Sequence, residues 1–474
     1  MTNPEERGMR RSIVVAGGGL AGLTAARRLL MAGHDVELLE KRELLGGKVS
    51  AWRDDDGDWV ETGLHTFFGA YEEIFELMRE LGVYDEILWK DHVLKYTMAG
   101  GDSFEFRTAK LPSPLHLMPA VFQNHYFSIP EKLSLARALK PILFGGEAYY
   151  DDIDRMSYQD WHHSFGISDK MLKRMFVPMT LALKFLPPEE ISAKIVVDVS
   201  GTFLRARDAS KMGFLSGSPA EKLTGPLADD IVRRGGRIRT GTGVRSMGLS
   251  EDRRISWIES TAGERFQADA FVLALPIHNL RRVIPDELRA EGFFANLDHF
   301  DGVPVITVQL WYDRQITHID NILFCPDGRI PVYADLGNTT PEYSVHGNSR
   351  IEAVVAPARD LMGLDDIEIV RLVSADIASC FPEATASASV VKSTVVRIPQ
   401  SVYRPAPGLD RYRPTQATPI SNLFLAGGYT RQRFYDSMEG AVSSGNRAAD
   451  ALLDRYGVAS SAVNGPREVV KHPS

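Results

Sequence analysis

Residues 13–22 constrain this chain more than any other stretch. Four apolar residues of strand character, Ile13-Val14-Val15-Ala16, run into Gly17-Gly18-Gly19-Leu20-Ala21-Gly22, and 23–31 follows with helical spacing. Gly17, Gly19 and Gly22 fit G-x-G-x-x-G. The first permits the tight turn, the second lets a pyrophosphate approach the backbone, and the third lets the helix sit close to the strand. The helix start, with Leu20 and Ala21, offers free N–H groups and a positive dipole end to an anion. Alone the motif is weak. Here a second strand, 36–39, ends at Glu40, eighteen residues after Gly22, where a carboxylate accepts hydrogen bonds from an adenosine ribose. Strand, glycine turn, helix, strand and acid form one unit, which reads as a dinucleotide-binding domain.

Composition narrows the rest. At 474 residues, 44% apolar and 24% charged, the chain has the length for two or three domains with filled cores. A net charge of −8 argues against nucleic acid as a partner, because phosphate neutralisation needs a basic surface. The two cysteines, Cys325 and Cys380, stand in unrelated contexts. That excludes a disulfide framework or cysteine metal cluster and suits a reducing cytoplasm. Arg7, Arg10 and Arg11 precede an apolar segment that the glycine turn breaks at once, so no signal peptide is read. No run approaches the ~20 apolar residues of a spanning helix, and membrane contact is expected to be peripheral.

Along the chain, residues 1–90 read as the first part of the nucleotide domain, behind a disordered leader at 1–12. Residues 91–215 read as a mainly helical region, 216–290 as the domain's second part, 291–405 as a substrate-side sheet opening with the strand 303–312, and 406–457 as the domain's third part. A disordered tail follows at 458–474. Asp54-Asp55-Asp56-Gly57-Asp58 reads as a solvated hairpin turn, since it lacks the downstream glutamate of a calcium loop. His162 and His163 lack the i, i+4 spacing of a metal pair and are read as structural.

Three dispersed stretches carry a resemblance: LLGGKVSAWRDDDGDWVETGLHTFFGAY at 44–71, GVPVITVQLWYDR at 302–314 and NLFLAGGYTRQRFYDSMEGAVSSG at 422–445. Through them the chain resembles the flavin-dependent carotene desaturases of plants and cyanobacteria, within the larger amine-oxidase-like flavoprotein superfamily. The likeness runs from residue 13 to about 452. It implies an α/β fold: a Rossmann-type FAD-binding domain interleaved with a mixed-sheet substrate domain and a helical cap. It implies FAD as cofactor and no metal. Gly17, Gly19, Leu20, Ala21 and Gly22 would hold the pyrophosphate and Glu40 the ribose. Lys41, Gly47 and Lys48 would lie along the phosphates and adenine, and Val244 would bond the adenine through its backbone. Gly63, Leu64 and His65 would pass under the isoalloxazine. Gly427 and Gly428 would form the last glycine turn, and Met438 would present a backbone N–H to a flavin carbonyl. Two departures stand out. The family usually carries Asp, holding the ribityl chain, where this chain has Gly428, so that contact is lost or made by water or a neighbour. Lys222 stands where the family has an arginine and lacks its bidentate fork.

The implied activity is desaturation of a linear C40 carotene, phytoene to ζ-carotene first and ζ-carotene itself as the alternative substrate, with a quinone as electron acceptor. Hydride leaves one carbon and a proton its neighbour, the flavin is the electron sink, and the protein aligns an apolar substrate. Three side chains are candidates for more. His65 would take a proton, against packing around the cofactor. Arg431 would orient a quinone, against a solvated surface. Tyr429 would wall the polyene, against plain core packing. Residues 111–150, including Leu111, Leu115, Leu117, Phe122 and Phe127, read either as a cap or as an interfacial surface admitting a lipid-dissolved substrate. The resemblance favours the second, giving a cytoplasmic protein peripherally associated with membrane. Homo-oligomerisation stays open. Rival readings are a hydroxysqualene-dehydroxylase-like isoprenoid oxidoreductase, an amine oxidase, and a non-catalytic carotenoid-binding flavoprotein.

Overall fold

A computed structural model describes residues 9–113, 115–117, 119, 124–344 and 347–457. Residues 1–8 of the expected leader, the expected tail at 458–474, and Phe122 lie outside the described residues, as does the side chain of Leu117. The chain forms two compact units, one built from Met1–Gly47, Leu223–Asp298 and Arg413–Ser474, the other from Lys48–Lys222 and His299–Tyr412.

The first unit is organised by a five-stranded sheet in the order Arg237–Arg239, Asp35–Leu39, Ser12–Ala16, Ala270–Leu273, Leu423–Leu425. All four pairings are parallel. Parallel strands covered on both faces read as apolar runs rather than alternations, and Ile13-Val14-Val15-Ala16 and Ala270-Phe271-Val272-Leu273 are buried throughout. Helix Leu20–Met31 follows the first strand, and helix Met438–Arg455 packs against it. The fit is close because Gly445 carries no side chain: a Cβ there would lie 2.4 Å from the carbonyl oxygen of Ala21. Helix Gly225–Arg233 is tied to the same helix by a buried ion pair, Arg27 Nε to Asp230 Oδ2 at 2.7 Å. The strand ends thereby bring Gly17, Glu40 and Ala426 to one edge of the sheet, the edge at which α/β sheets bind ligands.

The second unit holds a seven-stranded sheet, in the order Val390–Tyr403, Gly302–Tyr312, Arg350–Val355, Val332–Asp335, Ile322–Phe324, Val93–Thr97, Ser103–Arg107. Only the pairing of Ile322–Phe324 with Val93–Thr97 is parallel. A three-stranded sheet and a hairpin, Ala51–Arg53 with Trp59–Glu61, complete its strands. Helices occupy much of 129–205.

Several expectations are corrected. The first unit's opening segment stops at Gly47 rather than at 90. Beyond it, Phe67–Phe68 and Ile87–Trp89 hydrogen-bond to Met212–Leu215 of the second unit, so backbone pairing carries 48–90 with that unit. Residues 91–215 are mainly helical as expected, with three short strands, Val93–Thr97, Ser103–Arg107 and Met212–Leu215, at their ends. The acidic turn is more than solvated. Lys392 Nζ lies 2.7, 2.8 and 2.6 Å from carboxylates of Asp54, Asp56 and Asp58. Cys325 and Cys380, far apart in sequence, meet in the core with sulfurs 3.5 Å apart. Phe127 does not face outward. It is 2% exposed and packs edge-on against Phe104.

The helix contact yields a measurable expectation. Gly445→Val forces helix Met438–Arg455 off Ala21 and costs about 1–3 kcal/mol, the usual range for overpacking. Gly292→Ala, where a Cβ meets nothing within 4 Å, stays within about 0.5 kcal/mol of wild type. Urea unfolding of both variants checks the contrast.

Candidate functional site

At the sheet edge of the first unit, the glycine turn is fastened from three sides. The Gly17 N–H donates to the Leu39 carbonyl at 2.8 Å, and Gly17 adopts φ +112°. A Cβ on Gly22 would lie 1.9 Å from the Gly17 carbonyl oxygen, so helix and turn approach as only glycine permits. Leu23 N–H bonds the Gly19 carbonyl at 2.9 Å, and the N–H groups of Leu20, Ala21 and Gly22 before it have no partner within the helix. Glu40 is buried, with one carboxylate oxygen accepting from Gly18 N–H at 2.7 Å and the other from Arg42 N–H at 2.9 Å. It therefore braces the turn and keeps further lone pairs for a hydroxyl. The following segment folds back over the turn: Gly46 N–H donates to the Gly18 carbonyl at 2.8 Å. A Cβ on Gly19 would stand 3.7 Å from the Gly47 Cα, and Arg42 Nη2 holds the Gly47 carbonyl at 2.7 Å. Lys41 is exposed. Thr242 N–H bonds the Glu40 carbonyl at 2.7 Å, which seats Val244, the first residue of its strand, close by. These are the dimensions of a cradle for a pyrophosphate and ribose, and the residues present fit FAD.

The last glycine turn belongs to the same unit. Gly427 takes φ +133° and donates its N–H to Ser444 Oγ at 2.9 Å. Arg413, buried and absent from the sequence reading, donates to the carbonyls of Gly428, Tyr429, Thr430 and Gln432 and so shapes 428–432. Nothing in its sequence surroundings marks it. Tyr429 is buried, its hydroxyl meets no hydrogen-bond partner among the described residues, and burial holds its proton far above the usual phenol range. Arg431 is exposed and turns its Nε to the Arg413 carbonyl at 3.0 Å. Met438 starts its helix behind the N-cap Ser437.

The second unit carries Lys48, which is exposed, and Gly63, Leu64 and His65. His65 lies between Glu61 Oε2, 2.6 Å from Nδ1, and the Lys48 carbonyl, 3.0 Å from Nε2, its side chain 9% exposed. Burial alone would lower its pKa. The hydrogen bond and charge of Glu61, then the Lys48 carbonyl and Glu352, outweigh burial and raise it. Both ring nitrogens face oxygen acceptors, an arrangement that favours the doubly protonated ring.

A small recess, with room for about one water, opens beside it, lined among others by Glu61, Leu64, His65, Phe214, Leu336 and Glu352. Glu352 is fully buried, and burial, then the charge of Glu61, pushes its pKa up to about 8. Its Oε2 accepts from Gln309 Nε2 at 3.3 Å, while Oε1 has no partner among the described residues. Tyr343 Oη donates to Glu61 Oε1 at 2.5 Å, and Arg350 lies 4.3 Å over the Tyr343 ring. Lys222 lies 2.5 Å from Glu342 and 3.5 Å from Glu86, so its charge is answered locally. The sequence reading missed Glu61 and Glu352. Both had a signal: Glu61 stands four residues before His65, and Glu352 interrupts an apolar strand, where unpaired carboxylates are rare.

No group of His, Cys, Asp or Glu among the described residues could hold a metal ion.

The flavin containing amine oxidoreductase family matches residues 20–453. The chain is 38% identical over 454 residues to the 15-cis-phytoene desaturase of Synechococcus elongatus, spanning 94% of this chain and 96% of that one. It is 34% identical over 482 residues to the zeta-carotene desaturase of Capsicum annuum, spanning 94% and 82%. A redesigned putrescine oxidase, 17% identical, superposes with a TM-score of 0.75 over 94% of this chain and 99% of its own, which shows the fold. Together with the glycine cradle, the family match and these relatives define an FAD-dependent oxidoreductase. The chain belongs to the flavin containing amine oxidoreductase family and, within it, to the carotene desaturases.

The raised pKa of Glu352 has a consequence for stability. Between the ordinary glutamate value of 4.5 and about 8, the folded protein holds a proton that the unfolded chain releases. Stability therefore falls as pH rises through that window, by up to about 1.4 kcal/mol per pH unit. His65, raised above 6.5, acts in the same sense. Glu352→Gln is expected to flatten the decline between pH 5 and 8 in urea unfolding. Parallel curves for variant and wild type would show that Glu352 does not hold the proton.

Proposed function

We propose that this enzyme desaturates a linear C40 carotene, taking 15-cis-phytoene to ζ-carotene. The observation that carries the reading is 38% identity across 94% of the chain with a 15-cis-phytoene desaturase. Zeta-carotene as substrate is the second reading, favoured by the relative at 34% identity. Bound FAD supplies the acceptor for the hydride. Gly17, Gly19, Leu20, Ala21 and Gly22 hold its pyrophosphate, and Glu40 holds its ribose, with Lys41, Gly47, Lys48 and Val244 along the phosphates and adenine. Gly63, Leu64, Gly427, Gly428 and Met438 serve the flavin end. His65, flanked by Glu61 and the Lys48 carbonyl, acts as a fixed positive charge beside the recess rather than as a base. Tyr429 walls the substrate, and Arg431 faces a quinone that carries the electrons away.

The substrate's chemistry requires a lipid source, since each CH₂ leaves water with a gain of roughly 0.8 kcal/mol. No helix among the described residues is long and apolar enough to cross a membrane. Helix Ile129–Phe144 instead exposes Ile129, Leu133 and Phe144, at 72%, 62% and 77%, near Leu111 and Leu115 in sequence. We assign this face to the membrane surface, with apolar insertion dominating because a net charge of −8 gives little attraction to anionic lipid.

Expression in a host that accumulates phytoene tests the activity: ζ-carotene is expected to replace phytoene in extracted pigments. Unchanged phytoene alongside flavin-loaded protein would overturn the reading, and conversion of supplied ζ-carotene alone would favour the second. For the membrane face, replacing Ile129, Leu133 and Phe144 together by serine is expected to cut liposome flotation about tenfold or more at low and high salt, with FAD content unchanged. Flotation equal to wild type would place the membrane surface elsewhere.

A further inference from the structure

We infer that Asp436 provides the carboxylate that binds the polyol chain of FAD in this enzyme, in the space left open by Gly428. The inference rests on the FAD assignment above and deepens it. Its first support is steric. A Cβ built on Gly428 would lie 2.3 Å from Asp436 Oδ1 and 2.4 Å from Asp436 Cα. The ground into which any side chain at 428 would grow is therefore taken by Asp436, the neighbour that the sequence alone could not name.

The second support is the backbone. Asp436 has φ +48°, a left-handed conformation that the described chain shares with only two other non-glycine residues, Phe185 and Arg253. Aspartate tolerates this region better than most residues but is still uncommon there. The turn is not imposed by helix capping, because Ser437 is the N-cap, its Oγ accepting from Gly440 N–H at 3.1 Å. The effect of the turn is to lay the carboxylate back against Gly428, between the end of strand Leu423–Leu425 and the start of helix Met438–Arg455.

The third support is Tyr429, next in the chain to Gly428. Its buried hydroxyl lacks a hydrogen-bond partner among the described residues. Buried polar groups are seldom left so, and a polar ligand atom beside the turn would answer it. After burial, the charge of Asp436 is what holds the Tyr429 proton, which puts the two groups within electrostatic reach. An ionised carboxylate only accepts hydrogen bonds. It would repel the pyrophosphate and match a hydroxyl donor; with the ribose hydroxyls assigned to Glu40, the polyol chain supplies the remaining hydroxyls of FAD.

Flavin binding, read by absorbance and by titration of the flavin-free protein, tests this without turnover. Asp436→Asn keeps the shape and the tolerance for positive φ while removing the charge. It is expected to leave the melting temperature of the flavin-free protein unchanged and to weaken FAD binding about tenfold or more. Gly428→Asp alone is expected to lose flavin and melt earlier. Gly428→Asp combined with Asp436→Gly moves the carboxylate across the contact and is expected to bind FAD more tightly than Gly428→Asp alone. An Asp436→Asn protein that is folded and holds FAD as tightly as wild type would overturn the inference. So would a loss of flavin-free stability that accounts for the whole binding defect. A wild-type protein that neither carries nor takes up FAD would instead overturn the assignment beneath it.

Discussion

The approach of Gly22 to the carbonyl of Gly17 sets the geometry of the nucleotide unit. With 1.9 Å between that oxygen and the place of a Cβ, no other residue lets the helix leave the strand at this angle. The helix so placed receives helix Met438–Arg455 at Ala21, again across a glycine. The segment after Glu40 closes over Gly19 through Gly46 and Gly47, once more backbone on backbone. Where the pyrophosphate would lie the cradle is thus main chain kept bare of side chains, offering N–H donors suited to an anion, with the Glu40 carboxylate beside it.

The second unit answers with side chains. Glu61, His65, Glu352, Gln309, Tyr343 and Arg350 form one connected polar group, with Glu61, Gln309, Arg350 and Glu352 on strands and Arg350 over the Tyr343 ring joining the two halves. Buried ionisable groups hold their place only when their partners are complete. Here Glu352, which lines the recess, keeps one oxygen without a partner among the described residues. Packing that could have closed this space leaves it lined by Glu61, His65 and Glu352.

How much of this was legible in the sequence depends on the distance over which each feature is determined. The strand–turn–helix–strand around Gly17 and Glu40 was readable because its partners lie within 28 residues of one another, counted from 13 to 40. The strands 302–312 and 423–425 were readable for the same reason, as apolar runs bounded by turns. The boundary at 47 was not, because the pairings of 67–68 and 87–89 with 212–215 are set by register across more than a hundred residues. Arg413 and Asp436 were invisible because their roles are defined by carbonyls and a Cα that only the folded turn assembles. Phe127 was misread because an aromatic beside exposed apolar residues looks the same in sequence whichever way it faces.

Lys392 shows what such distance means while the chain is being made. It is separated by 334 residues from Asp58, the last carboxylate it contacts. At about 5–20 residues per second of synthesis, the acidic turn waits roughly 20–70 s for its cation. Until then Asp54, Asp56 and Asp58 crowd one tight turn with their mutual repulsion unrelieved by Lys392. The edge strand Val390–Tyr403 that brings the lysine is thus also the clasp of this hairpin, and the second unit is fastened at its oldest end by one of its newest residues.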